Sequence, residues 1–558
     1  MKHNIIKYMA AGCLLATVSS CKPDMDLNNP SEVSTNTYYQ KISQLQKSLI
    51  PAYQALIGRN QGGYCFTTLF TLLAPGDDYQ RTYKWSNMYQ DTYNTPASDA
   101  AAMGPWQDWF NGIMAANLAI DKMNNFAVND NDKETLNTML GQAYFLRGLY
   151  YLNLASLYGE TIPLYDHAIA TNADYYPANA AKGTVYPQII NDFKKAAELL
   201  PVRSKLYADA SNIGRATQGA ALGFLAKACL WRPLIEKGKS VDYDTAIAAL
   251  KKIIESGEYK LNANFKDNFT NNPATENGSE SVFEVQMHNG NSWMGGDLSD
   301  SWRWLNIGLP DGTGGCWWNL APTPMAYNEF ENGDPRRYMT LWCPGGADFT
   351  DMKGNTITFD DMNAKCSSDK DLYGTRKACP DKMISDTDDD FNDPLMRYSD
   401  ILLMYAECLH FTGHDGTDVN DNTGAKYWIQ QVRNRANNIV PSEQSKLWYS
   451  KSPGTIPNVD DLLNAAPTIN GFKMDNVMNV IEHERCVELM GEYYRYFDLM
   501  RWGMKDPKYL EPLKKLGWNE NKMYLPFPQE ELNNNPNLKA IVRYKIIRYK
   551  KFMPPDKP

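Results

Sequence analysis

Beyond its first two dozen positions the chain has no apolar run of the roughly 18 residues that a membrane-spanning helix requires. It has no Cys-x-x-Cys pair and only 6 histidines, which argues against the common zinc sites. G-x-S-x-G, the P-loop, G-x-G-x-x-G and H-E-x-x-H are all missing. His483-Glu484 begins the last of these, but Val487 stands where its second histidine belongs. An excess of positive charge is missing too: the net charge is -9, a poor match for nucleic acid. These absences point away from a polytopic membrane protein, a nucleic-acid binder and the motif-bearing enzyme classes. A glycosidase, which needs only two carboxylates, has no signature to miss.

What is present is a globular composition, 43% hydrophobic and 22% charged over 558 residues. Lys2, His3 and Lys7 precede a short apolar run, Tyr8 to Val18, and then Val18-Ser19-Ser20-Cys21. This pattern predicts a signal peptide over 1–20 and a lipid on Cys21, with 21–34 as a polar tether. Cys13 is a rival site with too short an apolar run before it, and ordinary secretion with an unmodified Cys21 is the alternative. The body, 35–558, is then a single domain anchored to a membrane without crossing it. Cys229, Cys408 and Cys486 fall in helical patterns and read as buried thiols. Cys366 and Cys379 lie in a loop region where an exported protein could form a disulfide.

Helical periodicity dominates the first half and the last third. Apolar residues recur from Leu136 through Leu140, Ala143, Leu146, Tyr150 and Leu154 to Leu157, with Asp132 at the expected N-cap and Gly159 at the stop. A second stripe runs from Tyr398 to Leu409, and a third from Ile481 through Met490 and Tyr494 to Trp502. Further helices are predicted at about 38–57, 106–126, 184–200, 215–236, 243–256 and 424–438. They come in short-linked pairs: 106–126 with 132–158, 184–200 with 215–236, and 396–412 with 424–438. This predicts a mostly α fold with a tetratricopeptide-like helix-pair scaffold, about 35–58, 106–257 and 395–503. Residues 59–105 and 258–394 break the rhythm. They are rich in Gly, Asn, Asp, Pro and Trp and read as a loop-rich half with a few short strands, such as Ser281–Met287.

Several motifs resemble those of the SusD/RagB family. They are Trp106-x-x-Trp109-Phe110-x-Gly112-Ile113-x-x-Ala116-Asn117, then Ala143 to Tyr151 with Arg147, then Arg397-Tyr-Ser-Asp to Glu407. Val432-Arg-Asn-Arg435-Ala, Glu484-Arg485 to Glu488-Leu489, and Arg495-Tyr-Phe-Asp498-Leu-Met-Arg501-Trp-Gly503 follow in order. Tyr524-Leu-Pro-Phe-Pro528-Gln and Asn535-Pro-Asn537 close the series. The resemblance implies an outer-membrane lipoprotein at the cell surface. It further implies binding of glycans, or in a minority of members peptides, as a lid on a SusC-like TonB-dependent transporter. No catalysis and no cofactor are implied. Glu488, Glu492, Arg495, Asp498 and Arg501 follow one another at three- or four-residue spacing, as on one helix, and read as structural ion pairs rather than catalytic groups.

Two clusters are candidate ligand-binding residues. Trp293, Trp302, Trp304, Trp317 and Trp318 gather five of the 14 tryptophans among glycines at 295, 296, 308, 312, 314 and 315. An indole plane buries the C–H face of a sugar ring while nearby polar groups bind its hydroxyls. The same rings could instead pack the loops. Asp77, Asp78 and Arg81, with Trp85 and Tyr89, form the second cluster: charged groups for paired hydroxyls beside rings for stacking. Its alternative is a solvated charged loop. Asp386, Asp388, Asp389, Asp390 and Asp393 suggest calcium, but Phe391 and Arg397 stand where an EF-hand needs Gly and Glu, so no metal site is expected.

Overall fold

A computed structural model describes residues 38–540, except 59–62, 65, 83–89, 271, 273, 288–306, 309–317, 344–348, 351–355, 359–372, 378–390 and 440–454. The chain divides into two units, residues 1–47 and 48–558. The fold is 56% helical and 6% strand, and no described helix is long and apolar enough to cross a membrane.

The principal helices of the larger unit are α1 (Ile50–Ile57), α2 (Phe66–Leu73), α3 (Ala100–Asn124), α4 (Lys133–Tyr158), α5 (Val185–Leu199), α6 (Gln218–Ile235), α7 (Tyr243–Glu255), α8 (Tyr398–Phe411), α9 (Ala425–Asn437), α10 (Val477–Leu489) and α11 (Arg495–Gly503). Each packs on the next in a relay from α3 to α9, and α8 then packs on α10, so the three predicted pairs form and stack. Sequence chemistry sets the ends. Asp99, Thr217, Asp242 and Asn476 accept a backbone N–H at the starts of α3, α6, α7 and α10. Gly159 ends α4 at φ 84°, a conformation that favours glycine. Gly112 lets α3 approach α4: a Cβ there would stand 2.4 Å from the Tyr150 ring.

Three local expectations change. The helix expected over 38–57 is two, Ile42–Ser48 and Ile50–Ile57, because Pro51 supplies no N–H to continue the first. Asp132 precedes α4 but makes no capping bond; Asn129 caps the turn before it. The third stripe is not one helix. It breaks between α10 and α11, where Gly491 and Tyr493 take φ of 75° and 73°.

Ten short strands form five antiparallel pairs among the described residues: β1 (Tyr79–Arg81) with β3 (Leu320–Pro322), β2 (Ser281–Val285) with β8 (Asp393–Arg397), β4 (Leu341–Trp342) with β7 (Gly374–Thr375), β5 (Phe349–Thr350) with β6 (Thr356–Ile357), and β9 (Thr468–Ile469) with β10 (Phe472–Lys473). Strand β2 is the expected strand, shortened to Val285 and buried throughout. Cys229, Cys343, Cys408 and Cys486 are buried free thiols. Cys366 and Cys379 lie outside the described residues.

Candidate functional site

The two loop regions singled out by composition meet in the backbone. Strand β1 from the early region pairs with β3 from the middle region in the register Tyr79↔Pro322, Gln80↔Ala321 and Arg81↔Leu320. The ladder continues on both sides, with Thr82 N donating to Asn319 O at 3.1 Å and Thr323 N to Asp78 O at 2.9 Å. Two further stems arrive here. Thr375 N donates to Gly308 O at 3.2 Å, and the Tyr79 hydroxyl lies 3.1 Å from Thr375 Oγ1. Segments 83–89 and 309–317 therefore leave the same end of one ladder. They carry Trp85, Tyr89 and Trp317, which lie outside the described residues, as do Trp293, Trp302 and Trp304.

The four described candidates have separate fates. The Asp77 carboxylate is gripped by Arg495 at 2.6 and 3.0 Å. Asp78 is buried, and one of its oxygens has no hydrogen-bond partner. Burial, then the neighbouring Asp77, pushes its pKa up to about 7. Trp318 is buried with φ 49°, and its carbonyl accepts from the Thr82 hydroxyl. These three anchor the stems and offer no open face to a ligand. Arg81 is half-exposed and pairs with Asp91 at 3.3 Å. It is the one described member of the set within reach of a solvent-borne hydroxyl.

Sequence reasoning missed two features of this half. Tyr327 and Tyr373 stack with centroids 4.8 Å apart and planes 1° apart, with the Arg337 guanidinium 4.9 Å from the Tyr327 ring. Both tyrosines keep part of their surface in solvent. A pair this far apart in sequence leaves no local pattern. The second feature is a cleft of about 280 Å³ between α1, the Ser211–Arg215 turn and the end of β2. Ile50 and Ile213, among the most exposed large apolar residues described, stand at its mouth. Arg215 lies over the Tyr53 ring at 5.6 Å, and Glu284 and Gln286 add polar groups. An apolar wall with a few amides and charges suits a neutral polar ligand. Gln286 and Met287 lead directly into 288–306, the segment with three of the candidate tryptophans.

Beneath the stems lies a buried charge network. Glu488 receives Arg336 at 3.1 Å, Arg397 at 3.0 Å and Arg435 at 2.5 Å. Arg397 also reaches Glu280 and Glu492, and Lys377 reaches Glu492 at 2.5 Å. Arg485 bridges Asp400 and Asp498, each at 2.8 Å, and Arg501 holds Glu407 and Asp498. His483 sits between Glu329 at 2.8 Å and Glu331 at 3.2 Å. Despite its burial, these two carboxylates raise its pKa to about 10; against its own burial, Glu331 is in turn lowered to about 2 by His483 and Arg433. The five residues from Glu488 to Arg501 are thus buried ion-pairing groups, but within the series only Asp498 and Arg501 pair with each other; Glu488, Glu492 and Arg495 take partners outside it. Asp393, from the acidic run, accepts from the Tyr493 hydroxyl and lies in β8. Burial also lifts Glu482 to about 7. A carboxyl raised in this way is the usual mark of a catalytic acid, yet Glu482 and Asp78 are both sealed from solvent.

Charged residues of the motifs that carry the family resemblance, among them Arg397, Glu407, Arg435, Glu488 and Arg501, belong to this network. Arg147 binds Asp192 at 2.7 and 2.9 Å and Asn117 at 2.7 Å, tying α3, α4 and α5 together. The sequence profile of the SusD family matches residues 254–544, just over half of the chain. The chain belongs to the SusD family. A second profile, described as starch-binding associating with outer membrane, matches residues 22–230. This SusD-family chain is 24% identical to the SusD-like protein P38 of Formosa agariphila, over 95% of its own length and 97% of the relative's. Among solved structures it is similar to a SusD superfamily protein from Bacteroides vulgatus (TM-score 0.67, 21% identity, 91% of this chain and 100% of that one). It is also similar to a laminarin-binding SusD-like protein (TM-score 0.64, 20% identity, 90% and 99%). At these identities the structural likeness establishes the fold, a SusD-like helical scaffold.

Proposed function

We propose that the protein is a cell-surface glycan-binding lipoprotein, anchored through Cys21 to the outer membrane, that captures an oligosaccharide without cleaving it. It then passes the glycan to a SusC-like TonB-dependent transporter. The observation that carries this reading is the convergence of the two aromatic-rich regions on the β1–β3 ladder, within a family whose relatives include a laminarin-binding protein. In this reading Trp85, Tyr89, Trp293, Trp302, Trp304 and Trp317 supply stacking surfaces, and Arg81 supplies hydroxyl contacts. Asp77, Asp78 and Trp318 hold the stems in place. Modest affinity suits a carrier that must release its cargo, in the micromolar to millimolar range, roughly -8 to -4 kcal/mol.

Titration calorimetry of the full chain in mild detergent against soluble β-glucan, α-glucan and xyloglucan oligosaccharides tests this, with new reducing ends assayed in the same samples. Binding of at least one glycan with its chain length unchanged is expected. Cleavage would make the protein a glycosidase. Binding of peptides alone would place it with the peptide-binding members of the family.

A further inference from the structure

The largest of the clefts described here, about 470 Å³, lies on the helical scaffold. It opens at the C-terminal ends of α6, α8 and α11 and the start of α7. Its floor is formed by Leu230, Pro233, Tyr243, Phe411, Trp502 and Met504. The Tyr243 and Phe411 rings pack at 5.5 Å and 31°. This volume is that of a ligand-recognition site.

Three features indicate what it takes. Trp502 is 3% exposed, and its indole N–H has no hydrogen-bond partner. A buried donor left unpaired costs free energy that an incoming acceptor oxygen would recover. Lys505 stands with its ammonium 3.6 Å from the Phe411 centroid and 5.8 Å from that of Tyr243. It makes no described ion pair, nor does Lys239. Lys237 is tied to Glu520 at 2.9 Å, and the one carboxylate in the lining, Glu407, is held by Arg501. In a chain with net charge -9 the open charges at this cleft are therefore positive. The three helix C-termini put partial negative charge behind the floor, while the unpaired lysines stand on the rim. Finally, the exposed residues Lys237 to Ser240 form one wall, along which an extended segment can lie.

We propose that this cleft seats an acidic–aromatic segment of a partner protein, with an apolar side chain against Tyr243, Pro233 and Met504 and a carboxylate against Lys239 and Lys505. The docking is independent of glycan binding and rests on other residues. The test is fluorescence anisotropy of a labelled Asp-Leu-Phe-Glu-Asp peptide titrated with the full chain in mild detergent. The uncharged Asn-Leu-Phe-Gln-Asn peptide and phenylacetate serve as competitors. Saturable binding is expected, weakened at least tenfold by Lys239→Gln with Lys505→Gln, and several-fold by Trp502→Phe. Glycan affinity of the lysine variant stays within twofold. Both lysines are exposed, so this variant folds as the parent does. Absence of binding at millimolar protein overturns the proposal. So does equal competition by the uncharged peptide, or indifference to the lysine changes. Phenylacetate competing as well as the acidic peptide would assign the cleft to a small organic acid and overturn it too.

Discussion

The helical scaffold and the loop-rich half hold themselves together by different means. The scaffold is an apolar relay, with Phe145, Phe193 and Phe224 packed ring against ring between α4, α5 and α6. The loop half has few long elements to bury against one another. It is fastened to the scaffold by charge: Asp77, Glu280, Glu329, Glu331, Arg336 and Lys377 from the loops meet Arg397, Arg433, His483, Glu484, Glu488, Glu492 and Arg495 from the scaffold side. Ion pairs buried this deeply contribute little net stability relative to apolar packing, but they fix one register among many.

The comparison can be broken first at Glu488. Glu488→Ala leaves Arg336, Arg397 and Arg435 facing a hole. Thermal or urea unfolding should show a loss of about 3–5 kcal/mol, against less than about 1 kcal/mol for an exposed pair such as Lys205–Glu134. Next comes pH. His483 has its pKa raised to about 10, so its stabilisation is complete below the ordinary histidine value and lost as pH climbs through about 10. Glu331, lowered to about 2, contributes above the ordinary glutamate value and loses that as pH falls toward 2. Unfolding followed from pH 7 to 10.5 should show a decline on the order of 3 kcal/mol, and His483→Gln should start less stable and flatten it. Third, Trp302→Ala with Trp304→Ala should weaken glycan binding by roughly ten- to hundredfold, about 1–3 kcal/mol, while the unfolding midpoint stays put. Smallest is Arg81→Ala, which should cost about threefold in glycan affinity, roughly 0.7 kcal/mol, with no measurable change in stability.

The scaffold was readable because its helices repeat apolar residues every three to four positions and end on recognisable signals. Gly159 stops α4, and Thr217, Asp242 and Asn476 open three others. The pairing α3–α4, α5–α6 and α8–α9 followed from short links. The break at Gly491 was not readable, because apolar residues continue across it and only the left-handed φ of Gly491 and Tyr493 ends the helix. Tryptophan density and charged dipeptides picked two regions whose described stems meet on the β1–β3 ladder. They did not separate stem from tip. Asp77 differs from Arg81 only in that Arg495, over four hundred residues away, folds back to claim it. The Tyr327–Tyr373 stack is likewise a product of tertiary structure alone.

The most direct measurement sets the two halves against each other in one experiment. Glycan titration calorimetry is run on the parent chain, Trp302→Ala with Trp304→Ala, and Glu488→Ala, each well below its unfolding midpoint. The account predicts that the tryptophan variant loses at least tenfold in affinity with its fold intact. The Glu488 variant should bind the same glycan within about twofold despite its lower stability. Undiminished binding by the tryptophan variant would contradict it, as would a parent chain that binds no glycan or shortens the one it binds.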